Sequence, residues 1–287
     1  LASVDSKMVL VFQPDEAVPL PYVLDMIQPA DSIKQALLNF AFYDYYFYGY
    51  PYFAVSALAL LPVKWAGQLH NTTLVMTVLR QVVSVLPLLA AIWIIVYMQT
   101  RFRSYKAVLL FILLISLPAV VQNNFWWHPD GLAILFTTLA LFFLHLDALR
   151  FGRFFFISAA MCGIAAMTKG IGFYFFLAVF VYLLIGYFGK KASLKKLILA
   201  SLGYLLVMGV AYFASNPILI YSGVRQRFFD VMRTQSIFLT QGYDVVYPKG
   251  LLASLPTLKT YYGGWLILLT ALATCTWGIW RGSDRLL

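Results

Sequence analysis

From residue 77 onward the chain alternates long apolar runs with short polar turns. Seven runs stand out, at 77–99, 107–122, 131–149, 154–168, 171–188, 197–214 and 261–280. Most approach or exceed the ~20 residues that a helix needs to cross a hydrocarbon core; 154–168 is the shortest. The pattern predicts an all-α, polytopic transmembrane helical bundle of about seven spans. Residues 1–76 read differently. Their first apolar stretch, Met8–Phe12, is too short for a span or a full signal peptide, and is expected to be the end of a helix that begins earlier. A second, Tyr50–Gly67, is long enough to resemble a span, but a crossing there would invert the charge bias described below. It is expected to lie in or dip into the membrane interface, beside the Phe- and Tyr-rich run Phe40–Tyr52. The chain therefore divides into an extracytoplasmic first loop with interfacial helices, 1–76, and a transmembrane bundle, 77–287, with a long outer loop at 216–260.

Composition agrees with the pattern. Hydrophobic residues make up 62%, charged residues only 11%, and the mean hydropathy is +0.82. A soluble domain averages about 25% charged residues, so this chain cannot coat a water-facing surface. The net charge of +10 raises nucleic acid as a partner, but the distribution of charge argues against it. Arg101, Arg103, Lys106, Arg150, Arg153, Lys190, Lys191, Lys195, Lys196, Arg281 and Arg285 all fall on one side if each span crosses once. With Asp147 and Asp284 that side carries +9, and the other side, with ten basic and nine acidic residues, carries +1. Short basic loops face the cytoplasm, which puts residues 1–76, 122–130, 168–170 and 216–260 outside. Cys162 and Cys275 lie inside apolar runs and read as packing residues. His70, His128 and His145 are far apart, with no metal-ligand spacing.

Candidate chemistry gathers on the outer side. Asp15 and Glu16 follow Pro14; two carboxylates at a membrane surface are solvated, paired, or available as a general base or as oxygen ligands for a divalent ion. A solvated acidic dipeptide is the plainer reading. Asn123–Asp130 ends in His128-Pro129-Asp130 at the start of a span. Helix capping accounts for Asp130 but not for His128, which can bond phosphate or shuttle protons. Lys169, between Thr168 and Gly170 at the tip of an apolar hairpin, suits an anion or snorkels to headgroups. The long loop carries Asn216, Pro217, Arg225, Arg227, Arg233 and Lys249, whose cations suit a phosphate clamp or lipid headgroups.

Taken in order, Pro14-Asp15-Glu16, Tyr48-Gly49-Tyr50-Pro51-Tyr52-Phe53, Leu79–Ser84, His128-Pro129-Asp130, Ala166–Gly170 and Asn216-Pro217 form a series. It resembles the GT-C superfamily of integral membrane glycosyltransferases, especially the protein-mannosyltransferase and aminoarabinose-transferase-like branch. Each motif is short, and the specificity lies in their order and topology. The resemblance implies a GT-C-like bundle whose first family helix is missing or truncated here. It implies a polyprenyl-phosphate sugar donor and transfer at the extracytoplasmic face of a bacterial or archaeal cell membrane. In that scheme Asp15 is the acceptor-side base with Glu16 beside it, and Asp130 is the second-loop acid. Lys169, with Arg225 or Arg227, meets the donor phosphate; Tyr50 is a further candidate substrate contact, as is His128, which maps to no general role in the family. Some relatives use a divalent metal ion, for which Asp15, Glu16 and Asp130 would be the ligands. Membrane lipids are implied partners. The rival reading is a non-catalytic GT-C-like structural subunit of a larger membrane complex, with other membrane protein subunits as partners. A transporter ranks third, because the spans carry almost no charge at mid-membrane.

Overall fold

The computed structural model describes residues 4–123, 125–241 and 251–280, and every regular element among them is helical. Near the N-terminus the helices are short, because prolines and caps divide them. Asp5 caps α1 (Ser6–Phe12) by accepting the Met8 N–H at 2.8 Å. Pro14, which has no N–H to donate, opens the single turn α2 (Pro14–Ala17), and Pro19 precedes α3 (Leu20–Met26). Ser32 caps α4 (Ile33–Ala41), and α5 (Tyr50–Trp65) starts with Pro51 in its first turn. One side of α5 is built into the largest core through Tyr52, Phe53, Ala57 and Leu60, while Leu58 and Trp65 face outward.

The next run is one continuous helical stretch, Thr72–Thr100. It comprises α6 (Thr72–Leu79), a π-helical turn (Arg80–Val85) and α7 (Leu86–Thr100). Asn71 caps it, and Arg101, in the left-handed region at φ 51°, ends it. The expected span at 107–122 divides into α8 (Lys106–Ile115) and α9 (Pro118–Asn123), since Pro118 cannot continue the hydrogen-bond ladder. A tight connection joins α10 (Asp130–Asp147) and α11 (Arg153–Thr168) into a hairpin. The expected span at 171–188 begins as a 3₁₀ turn (Gly170–Phe175) before α12 (Phe176–Phe188), and α13 (Leu194–Ala214) follows, capped by Ser193. The segment expected to be a long outer loop contains a short 3₁₀ turn (Pro217–Ile220), α14 (Ser222–Gln241) and α15 (Leu251–Tyr261). After Gly263 and Gly264, at φ 82° and 119°, comes α16 (Trp265–Trp280). Lys249, Arg281 and Arg285 lie outside the described residues.

Among the described residues, three helices are long and apolar enough to cross a membrane: Thr72–Thr100, Asp130–Asp147 and Leu194–Ala214. Four shorter apolar helices accompany them, at Lys106–Ile115, Arg153–Thr168, Gly172–Phe188 and Trp265–Thr274. Their outward faces are apolar as well. On α13 Leu199, Leu202, Leu206 and Val210 are all exposed, as are Leu177, Phe180 and Val181 on α12. Water does not tolerate such a surface over many helices, whereas lipid does, so the fold is consistent with a membrane protein.

Two close approaches hold the bundle. A Cβ on Gly163 would lie 2.3 Å from the Met208 carbonyl, so α11 and α13 touch at a position where only glycine fits. The same holds between α10 and the π turn, where a Cβ on Gly131 would lie 2.6 Å from the Ser84 carbonyl. One core joins α10–α13 through Phe155, Tyr182 and Tyr204. The larger core packs the N-terminal helices against Leu79, Val83, Trp127, Met167 and Phe228. The candidate residues border that larger core.

Candidate functional site

Glu16 is the anchor. Its side chain is fully buried, and Arg80 holds both carboxylate oxygens, Nε donating to Oε1 at 2.8 Å and Nη2 to Oε2 at 2.5 Å. The backbone N–H of Trp127 also donates to Oε1, at 2.5 Å. Three strong donors offset the desolvation of a carboxylate that would otherwise be costly to bury. Trp127 is fixed in turn. It stacks on Tyr52 with ring centroids 5.0 Å apart, its Nε1–H donates to Ser56 Oγ at 3.0 Å, and Ser56 donates to the Tyr52 carbonyl at 2.7 Å.

The next residue begins the polar cluster. Ser84 accepts the His128 N–H at 3.1 Å and donates to the His128 carbonyl at 3.3 Å, so the backbone here has both partners in one side chain. Nδ1 of His128 lies 2.9 Å from Asp130 Oδ2, and Lys169 Nζ lies 2.5 Å from Asp130 Oδ1. A carboxylate at Nδ1 favours the tautomer with its proton there, which leaves Nε2 to accept from the Tyr48 hydroxyl at 3.1 Å. Trp126 lies parallel over the imidazole at 4.3 Å. Asp130 opens α10, where the positive end of the helix dipole also favours its charge.

Lys169 and Tyr48 reach this cluster through a second glycine contact. At the end of α11 the backbone turns extended at Lys169, and the Gly49 N–H donates to the Thr168 carbonyl at 3.2 Å. A Cβ at Gly49 would lie 1.4 Å from the Met167 carbonyl, so a larger residue would push Tyr48 away from His128. The same loop is a platform of aromatic rings. Burial pushes the Tyr46 phenol up to about 12 and that of Tyr43 further, so both stay neutral near pH 7.

Asp15 sits beside Glu16 on α2 with its side chain exposed and, among the described residues, without a hydrogen bond or ion pair. The structure thus brings Asp15, Glu16, His128, Asp130 and Lys169 to one end of the bundle. Tyr50, Arg225 and Arg227 are engaged elsewhere. The Tyr50 hydroxyl donates to the Phe40 carbonyl, and Arg225 donates to the Leu219 carbonyl. Arg227 pairs with exposed Asp44 at 2.7 Å and lies over the Tyr46 ring. The expected clamp of Lys169 with Arg225 or Arg227 is therefore absent from these contacts, because α14 uses its arginines to hold the turn and loop beneath it.

A second cation at the site, beside Lys169, is Arg80, which stood inside the Leu79–Ser84 motif but was given no role there. One signal pointed to it. Arg80 is the only Lys, Arg, Asp or Glu between Lys64 and Arg101, and an isolated charge in an apolar helix needs a partner. A divalent ion would need several oxygen ligands turned toward one point. Here Glu16 is held by Arg80 and Asp130 by Lys169, and no three His, Cys, Asp or Glu side chains converge among the described residues. The residues present do not fit a metal centre. No family model matches the chain, and neither the curated proteins nor the solved structures include a match to it.

Proposed function

We propose that this chain is a multi-pass membrane glycosyltransferase of the GT-C kind, moving a sugar from a polyprenyl-phosphate carrier to a lipid, glycan or protein acceptor. The observation that carries the reading is that Asp15, which has no hydrogen bond or ion pair among the described residues, and the partly exposed cation Lys169 are tied to one scaffold. Asp15 is next to Glu16, Glu16 is bonded to Trp127, and three residues later Asp130 holds Lys169. Inverting transfer asks for that separation of charge. Asp15 takes the proton of the acceptor hydroxyl as its oxygen attacks the anomeric carbon. The bond from that carbon to the phosphate oxygen breaks, and the polyprenyl phosphate leaves with the electron pair. Lys169, released from part of its contact with Asp130, neutralises the charge that develops there. His128 and Tyr48 supply further polar contacts at the same point.

Topology supports the same assignment. Seven apolar helices crossing once each would put the basic turns in the cytoplasm and the site on the extracytoplasmic face. Substituted-cysteine labelling checks the orientation: Asp15→Cys should react with an impermeant reagent added outside intact cells, and Arg103→Cys should not. For the activity, purified protein in lipid is supplied with polyprenyl-phosphate sugars and release of polyprenyl phosphate is measured. Asp15→Asn and Lys169→Met should each lower turnover about 100-fold or more. Unchanged turnover in both would sink the proposal.

One observation favours the rival reading. Glu16–Arg80 and Asp130–Lys169 are both closed ion pairs, as in a scaffold that only needs to be neutral. A non-catalytic subunit would copurify with other membrane proteins and be indifferent to Asp15→Asn.

A further inference from the structure

A π-helical turn is an unusual feature inside a membrane-length helix, and this one has a local cause. Leu86 donates its N–H five residues back to the Gln81 carbonyl, and Pro87 has no N–H to draw the ladder back into α-helical register. The widened turn runs from Arg80 to Val85, with Gln81 and Val82 exposed, Val83 and Ser84 buried. Its two polar residues that face the protein each hold a different segment. Arg80 holds Glu16, 64 residues earlier in the chain; Ser84 holds both backbone groups of His128, 44 residues later. The two segments also meet each other, through Trp127 N–H and Glu16. Gly131, whose missing Cβ lets α10 rest on the Ser84 backbone, keeps the turn and the cluster in contact.

We infer that Arg80 and Ser84, presented by this π turn, are positioning residues that set Asp15 and the His128–Asp130–Lys169 cluster in a fixed relation to each other. The inference rests on the transferase reading for its meaning in catalysis, but its geometric content stands apart from activity. Glu16 takes one edge of the Arg80 guanidinium, through Nε and Nη2. Arg80 acts through Glu16 on the neighbouring Asp15. Ser84 acts through the backbone of His128 on the imidazole and, through the following turn, on Asp130. A displacement of about 1 Å between reacting groups is enough to cost on the order of 100-fold in rate.

Spin labels test the geometry directly. With Cys162 and Cys275 replaced by alanine, Val18→Cys and Phe125→Cys carry the labels, on exposed positions next to the two segments. The expected result is one narrow distance distribution, broadened by Arg80→Gln and by Ser84→Ala, and narrower again in Arg80→Lys. Distributions equal to the parent in both Arg80→Gln and Ser84→Ala would overturn the inference. Should Arg80→Gln fail to fold, Ser84→Ala and Arg80→Lys carry the same comparison. Turnover in the polyprenyl-phosphate assay adds the catalytic readout. Ser84→Ala should lower kcat on the order of 100-fold with the donor KM nearly unchanged, and Arg80→Lys should recover part of kcat. A fall in stability alone, with kcat of the folded fraction intact, would also overturn it. Absence of turnover in the parent protein would refute the transferase reading and leave the distance result to decide the positioning one.

Discussion

The two ends of the α10–α11 hairpin each bury a carboxylate, and they satisfy it in opposite ways. At one end Asp147 accepts the Phe151 N–H at 2.8 Å, the Gly152 N–H at 2.9 Å and the Tyr182 hydroxyl at 2.9 Å. Two of its three donors lie within five residues, and none is a cation. Around it Ala148, Leu149 and Phe151 adopt left-handed conformations, which the carboxylate fixes by tying the turn together. At the other end Glu16 draws its donors from 64 and 111 residues away, and Asp130 draws Lys169 from 39 away. A carboxylate served by its own turn stabilises that turn. One served by cations from distant helices brings separate segments to a single place, which the proposed transfer would require.

Substitutions can break this comparison, and the largest effect is expected at Arg80. Arg80→Ala leaves Glu16 buried without its cation and should cost about 3–5 kcal/mol, read as a fall in thermal unfolding temperature in detergent. Adding Glu16→Gln should recover much of that loss; no recovery would show that the pair is not what holds the segment. Next comes Asp147→Ala, which strands the two backbone donors Phe151 and Gly152 and leaves Tyr182 only its backbone partners. About 2–3 kcal/mol should be lost, while the fraction that remains folded turns over normally. A loss of turnover there would erase the distinction between the two ends. Lys169→Met should affect stability by less, about 1 kcal/mol, because the pair with Asp130 is partly exposed. Its effect on turnover should instead be 100-fold or more, on the order of what removing one charge-stabilising donor costs. The smallest effect is expected for Asp44→Ala. Its pair with Arg227 is solvent-exposed, so both stability, within about 0.5 kcal/mol, and turnover should hold.

Much of the architecture was legible from residue order alone. Apolar runs of helical length are local signals, and the described helices follow them, three of them long enough to cross a membrane. Where the expectation differed, the reason was also local. Pro118 divided the run at 107–122, and the segment at 216–260 formed α14 and α15 because it is long enough to carry helices of its own. The site was legible only in part. Asp15, Glu16, His128, Asp130 and Lys169 stood out as charged or titratable groups beside proline, glycine or the end of an apolar run. Arg225 and Arg227 stood out as cations of the long loop, and Tyr50 as part of a quoted motif, yet their side chains bond Leu219, Asp44 and Phe40.

What the sequence determined by itself is the all-helical, lipid-compatible character of the chain and the short list of polar groups that its apolar segments leave to be explained. Those properties come from composition and from periodicity within a helix, which neighbouring residues set without help from the rest of the fold. Only the tertiary structure decided which polar groups pair. A buried carboxylate takes whatever cation packing brings within 3 Å, and spacing along the chain does not encode that distance. So Glu16 went to Arg80, Asp130 went to Lys169 and His128, and Asp15 kept a carboxylate without a partner among the described residues. The glycines at 49 and 131 decided the rest, because only where a Cβ is missing could these backbones come close enough for the groups to meet.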